Sequence, residues 1–183
     1  MALKIQTFSN TKGGNAFFKA VGHPLAARKA PDFLARLRHG PVAVYDPFGF
    51  AAQLNEIHEL SRLDVTGVFV QDLGDLGKSV LGQRTQPVTD LKAAAASKVF
   101  VAAFDAGRPI EQIRHLLPAG AEVVSLDALR LADDMLTDRR NYLNGLNVAT
   151  NFVLFRDEGG HHTRLVTANY WSGYGAEDPE FWC

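Results

Sequence analysis

Val42-Ala43-Val44-Tyr45-Asp46-Pro47-Phe48-Gly49-Phe50-Ala51 decides the fold of this chain. Its first four residues are short and wholly apolar, the form of a strand buried on both faces of a sheet. A turn follows, and then Phe50, Leu54, Ile57 and Leu60 recur on one helical stripe. The rhythm repeats downstream. Val65 to Val70, Val99 to Phe104 and Glu122 to Leu126 read as further strands, with helical stretches over Asp90 to Ala96 and from Pro109 to Leu117. Alternating strand and helix is the sequence form of an α/β fold with a parallel sheet of about four strands and helices on both faces. Such a sheet holds its ligand in the crevice at the carboxyl ends of its strands.

The flanks are less regular. Leu3, Ile5 and Thr7 suggest a short strand, Thr11 to Asn15 a turn, and Phe17, Phe18, Val21 and Leu25 an apolar set that docks on the main domain. Pro31 is expected to open a helix carrying Phe33, Leu34 and Leu37, since a first helical turn tolerates its missing N–H. Residues Leu73 to Pro87 hold several glycines and no period, and read as a loop. Beyond Asp127, Val148 to Phe155 and Thr163 to Trp171 flank Gly159-Gly160, the signal of a C-terminal β-hairpin. The resulting division is an extension over residues 1–29, an α/β domain over 30–130, and a linker plus hairpin over 131–183. An isolated hairpin is marginal, so the hairpin either packs on the α/β domain or a second copy (a homo-oligomer), or opens a missing C-terminal domain of a longer protein. The apolar end Phe181-Trp182-Cys183 favours the last.

Composition narrows the classes. A net charge of −1 supplies no basic field for a phosphate backbone, so nucleic acid is not an expected partner. No apolar run approaches the roughly 20 residues of a membrane span, and Met1-Ala2-Leu3-Lys4 does not begin a secretory signal. One cysteine, Cys183, leaves no disulfide framework and no cysteine-based metal site within the chain. Together these point to the cytoplasm and away from membranes.

The segment 41–127 resembles the Rossmann-like domains of bacterial sugar-modifying enzymes. These are the amino-terminal domain of sugar O- and N-acyltransferases and the carboxy-terminal domain of sugar C-methyltransferases. Val42 to Tyr45 matches the first strand and Asp46 to Ala51 the glycine-rich turn. Val65 to Asp72 matches the second strand with its acidic end, and Leu81 to Val88 the proline-bearing stretch before the third. Asp46 and Phe48 stand where those families often carry glycine. The resemblance implies a nucleotide-binding type of scaffold in a carbohydrate-related protein, with NAD or a sugar nucleotide as the expected ligand class.

The candidate site is Asp46, Phe48, Gly49, Asp72 and Asp105, all near strand ends. A dinucleotide turn needs glycines so that backbone N–H groups reach the pyrophosphate. Here Phe48 would intrude, Asp46 would repel phosphate and Pro47 removes a donor. The turn therefore reads either as a tight strand-to-helix connection in a degenerate fold or as a cleft of altered specificity. Asp72, 26 residues after Asp46, could bond a ribose hydroxyl or simply lead the strand into solvent. Asp105 could meet a ligand, but a cap for the helix near Pro109 is favoured. Gly77-Lys78-Ser79 is the tail of a P-loop without its first glycine, since that position is Asp72. His161 and His162 are adjacent, so on a strand they point to opposite faces and make a solvated turn rather than a zinc site. No catalytic triad motif is visible. The aromatic group Tyr170, Trp171, Tyr174, Phe181 and Trp182 fits an interface or a continuing core. The leading expectation is a degenerate module binding a nucleotide, a sugar nucleotide or a partner domain. The alternatives are an NAD(P)- or sugar-nucleotide-dependent oxidoreductase or transferase, and a structural assembly protein.

Overall fold

The computed structural model describes residues 14–148 and 157–162. The chain forms two compact units, residues 1–150 and 151–183. The described residues of the first unit start with α1 (Gly14–Gly22) and α2 (Pro24–Arg38), and continue through β1 (Val42–Tyr45), α3 (Phe50–Ile57) and β2 (Val65–Val70). Then come β3 (Ser79–Val80), β4 (Gln83–Arg84), β5 (Gln86–Pro87), β6 (Lys98–Val101), α4 (Gly107–Ile113) and β7 (Glu122–Ser125). Five strands form one sheet in the order β5-β2-β1-β6-β7, and every pairing in it is parallel. Counted among themselves in chain order, they lie 3-2-1-4-5, the order of a Rossmann-like doubly wound sheet.

The strands sort their side chains by the two-residue period of a pleated sheet. Val42, Val44, Val68, Phe100 and Val124 face one core with α1, α2 and α3. Ala43, Tyr45, Phe69, Val99 and Val101 face the other with Leu91 and Ile113. The helices that cover the first face bury Phe17, Phe33, Leu37 and Leu54.

Several local expectations change. The parallel sheet gains a fifth strand, Gln86–Pro87, from the segment read as loop. It is two residues long and contains proline, a residue confined to sheet edges because it cannot donate to the ladder; no periodicity can mark so short an edge. β3 and β4 form a small antiparallel ribbon in the same segment. Pro31 lies inside α2 instead of opening it, and Pro24 takes the first turn, with the His23 ring accepting from the Leu25 N–H at 3.2 Å. Ala27 thus loses its usual i+4 donor, a cost offset by burial of Ala26, Ala30, Phe33 and Leu37 on one stripe. On α3, Ala51 and Leu54 are the buried residues while Ile57 is 40% exposed. Asp90 to Ala96 holds a 3-10 turn, Val88–Ala93, in place of an α-helix.

In the second unit, β8 (Asp157–Glu158) pairs antiparallel with β9 (His161–His162). Gly159 and Gly160 both take positive φ, 58° and 79°, the pair of left-handed residues that a tight type I′ hairpin turn demands. The outer reaches of the expected hairpin, 149–156 and 163–171, lie outside the described residues, as do Leu3, Ile5, Thr7, the 170–182 aromatics and Cys183.

Candidate functional site

β1 and β6 are neighbours whose onward connections run in opposite directions across the sheet, β1 to β2 and β6 to β7. This is the switch point at which open parallel sheets leave a crevice. Two turns border it, one running from β1 into α3 and the other from β6 into α4.

In the first turn, Gly49 takes φ 75° immediately before α3; an added Cβ would meet nothing within 4 Å, so backbone handedness and not space calls for glycine there. The Asp46 side chain folds back under the helix. Its Oδ1 accepts from the Phe50 N–H at 2.8 Å and its Oδ2 from the Ala51 N–H at 3.2 Å. Those orphan donors at a helix start are what holds pyrophosphate in dinucleotide folds. Here a carboxylate of the chain itself satisfies them, and Asp46 is only 3% exposed.

Burial pushes the Asp46 carboxyl above its usual value, against the lowering effect of the Ala51, Phe50 and Gly49 N–H groups, and the nearby charge of Asp75 adds to the rise. A carboxyl raised in the folded state favours folding most below its unfolded pKa, and that contribution is lost as pH rises through the folded value. Wild type should therefore lose stability relative to Asp46→Asn as pH rises above about 4, the ordinary aspartate value. Urea unfolding of both proteins as a function of pH checks it; a wild type that gains stability relative to the variant as pH rises would contradict it.

The second turn uses the same device with a different donor. Asp127, just past β7, accepts the Asp105 N–H at 2.8 Å and the Ala106 N–H at 2.9 Å. Asp105 is therefore not the cap favoured from sequence. It sits at φ 51°, in the left-handed region that aspartate tolerates better than most residues. Its carboxylate is engaged elsewhere, accepting from the Tyr142 N–H at 2.8 Å and from the Arg130 guanidinium. Arg130 in turn lies 4.9 Å from the centre of the Tyr142 ring and 3.6 Å from Asp133. Tyr142 closes the loop by bonding the Leu131 N–H through its hydroxyl at 3.1 Å. This network fixes the strained Asp105 backbone and ties residues 127–142 to the end of β6. Asp138 then shapes the next turn by accepting from the Arg140 and Asn141 N–H groups, which hold its carboxyl below the usual range along with the Asn144 side chain.

Between the two turns lies a hollow of about 330 Å³, lined by Phe48, Phe50, Phe104, Asp105, Arg108, Pro109, Asn141 and Leu143. Its aromatic wall is braced from behind, since the Phe50 ring stacks on Phe17 of α1 at 4.6 Å and Phe104 meets Tyr142 at 4.5 Å. Phe48 is 53% exposed at the rim.

Of the five residues expected at the site, Phe48 and Asp105 line this hollow together. Asp46 is buried beneath α3 and Gly49 sets its backbone turn. Asp72 stands apart at the end of β2, where it caps the next turn by accepting the Gly74 N–H at 2.8 Å. Phe104, Arg108 and Asn141 escaped the sequence reading. Arg108, in the first turn of a helix that follows a strand end, offered a weak signal; Asn141 comes from an irregular turn and offered none. Gly77-Lys78-Ser79 leads into a ribbon strand, with Lys78 paired to Asp75 at 2.6 Å, so it is not a phosphate loop. Among the described residues no group of three His, Cys, Asp or Glu side chains is placed to hold a metal ion. Among them, too, no helix is long and apolar enough to cross a membrane. Comparison with protein-family models, curated proteins and solved structures finds no match to the chain.

Proposed function

We propose that the chain is a degenerate Rossmann-like binding module that takes its ligand at the switch-point hollow and recognises a ring, not a pyrophosphate. One observation carries this reading: the Asp46 carboxylate already occupies the N–H donors at the start of α3, while the hollow beside it stays open and aromatic. A pyrophosphate seated at the start of α3 would be set directly against the Asp46 carboxylate, like charge against like in a poorly solvated place, which costs affinity. Rings stacked on Phe48 and Phe50 need no such seat. The carbohydrate-related setting rests on the resemblance of residues 41–127, and sugar nucleotides belong in the test for that reason. An oxidoreductase or transferase using NAD(P) remains the alternative, and it makes the opposite demand on the turn after β1.

Thermal shift of the whole chain with adenosine, uridine, NAD, NADP and UDP-glucose separates the two. A ligand that binds only the folded state raises the melting temperature in proportion to its affinity. The expected result is that joining two nucleotides through a pyrophosphate adds nothing to what one nucleoside achieves. A dinucleotide or sugar nucleotide that stabilises by more than about 2 kcal/mol beyond its nucleoside would overturn the reading.

A further inference from the structure

We propose that the ligand of the switch-point hollow is a small aromatic carboxylic acid, with the Arg108 guanidinium as its anion anchor. The inference rests on the ring-binding reading of the same hollow and adds the chemical class. The polar groups of the lining decide it. Asp105 already accepts from Arg130 and the Tyr142 N–H, one bond on each oxygen. Arg108 is exposed and, among the described residues, has neither a hydrogen bond nor an ion pair. The Asn141 side-chain amide is likewise uncommitted among them, its residue bonding only through the backbone. Beside the Asp105 carboxylate, which Arg130 pairs, the lining offers one unmatched positive charge, one amide and five apolar side chains.

A sugar presents several hydroxyls, and two polar partners leave most of them unsatisfied wherever the apolar wall excludes water. A phosphate monoester bears nearly two charges and is best served by clustered backbone donors; those at both neighbouring turns are taken by Asp46 and Asp127. A carboxylate needs one flat, two-pronged donor, which a guanidinium supplies. A flat ring behind it would lie against Phe48 and Phe50, and a hollow of about 330 Å³ limits the ligand to one or two fused rings.

The experiment is an amide NMR titration of the full chain with 1-naphthoate and with its neutral isostere 1-naphthamide. Naphthoate should shift Phe104, Arg108 and Leu143 and bind about tenfold tighter than the amide, the margin of one charge-assisted contact. Arg108→Gln should abolish that preference while leaving amide binding in place, and Arg108→Lys should restore part of it. Phe48→Ala should weaken both probes by a similar factor. Equal affinity for acid and amide, with the same residues shifting, would overturn the anchor role of Arg108 and leave the hollow as a ring site. If neither probe moves those residues, the hollow itself fails as the site, and the proposed function falls with it.

Discussion

Asp46→Ala should lower stability by about 2 kcal/mol, and the same change should let the protein bind inorganic phosphate. The substitution strips the acceptor from the Phe50 and Ala51 N–H groups, of which the second is fully buried. Each abandoned buried donor costs about 1–3 kcal/mol, and relief from burying a charge returns part of it. For a domain of this size the melting temperature should drop by roughly 4–8 °C. Asp46→Asn keeps one oxygen and should lose about half as much. The freed helix start then has the donors of an anion site, so phosphate at about 20 mM should recover roughly 3 °C in Asp46→Ala and nothing in wild type. Phe48→Gly, by contrast, should leave phosphate affinity unchanged, because Phe48 stands at the rim while Asp46 holds the donors. Phosphate that stabilises wild type and variant equally would show that the seat was never blocked.

Phe100→Ala should be the more damaging change, costing about 4 kcal/mol. Phe100 lies on β6, an inner strand paired on both sides, is fully buried, and meets Phe33 of α2 edge-to-face at 5.6 Å. Removing its ring opens a cavity between a central strand and a long helix, and neither can close it without shifting the parallel pairs on both sides. The melting temperature should drop by roughly 8–16 °C. A double-mutant cycle with Phe33→Ala should show coupling of about 1 kcal/mol, the usual worth of an aromatic pair beyond its buried area. A loss below about 1.5 kcal/mol, or no coupling, would mean that α2 does not cover that face.

The sheet was legible because its central strands are short, apolar and punctuated. Val42 to Tyr45 and Val99 to Val101 are buried throughout, and only fully covered strands dispense with polar alternation. β5 was not legible, since two residues ending in proline carry no period. The start of α2 differs between sequence and structure for a related reason: Pro31 normally marks a helix start, and only tertiary burial of its stripe overrides that preference. At the site, the chemistry of Asp46 could be read but not its direction. A carboxylate in that turn reads as repelling phosphate; its bonds to the N–H groups four and five residues ahead depend on how the turn folds, which no local pattern encodes. Asp127 capping the turn at Asp105 and Ala106, and Arg130 anchoring Asp105, join residues more than 20 positions apart, beyond any local signal.

The backbone amides of Phe50 and Ala51, followed in wild type during a titration with inorganic pyrophosphate, test most directly whether the start of α3 is already taken. With the Asp46 carboxylate in place, both resonances should stay put up to about 5 mM pyrophosphate, a concentration that saturates any site of even modest affinity. Saturable movement of both with a midpoint in the micromolar range would contradict that, and would give the start of α3 the phosphate seat of an ordinary dinucleotide fold.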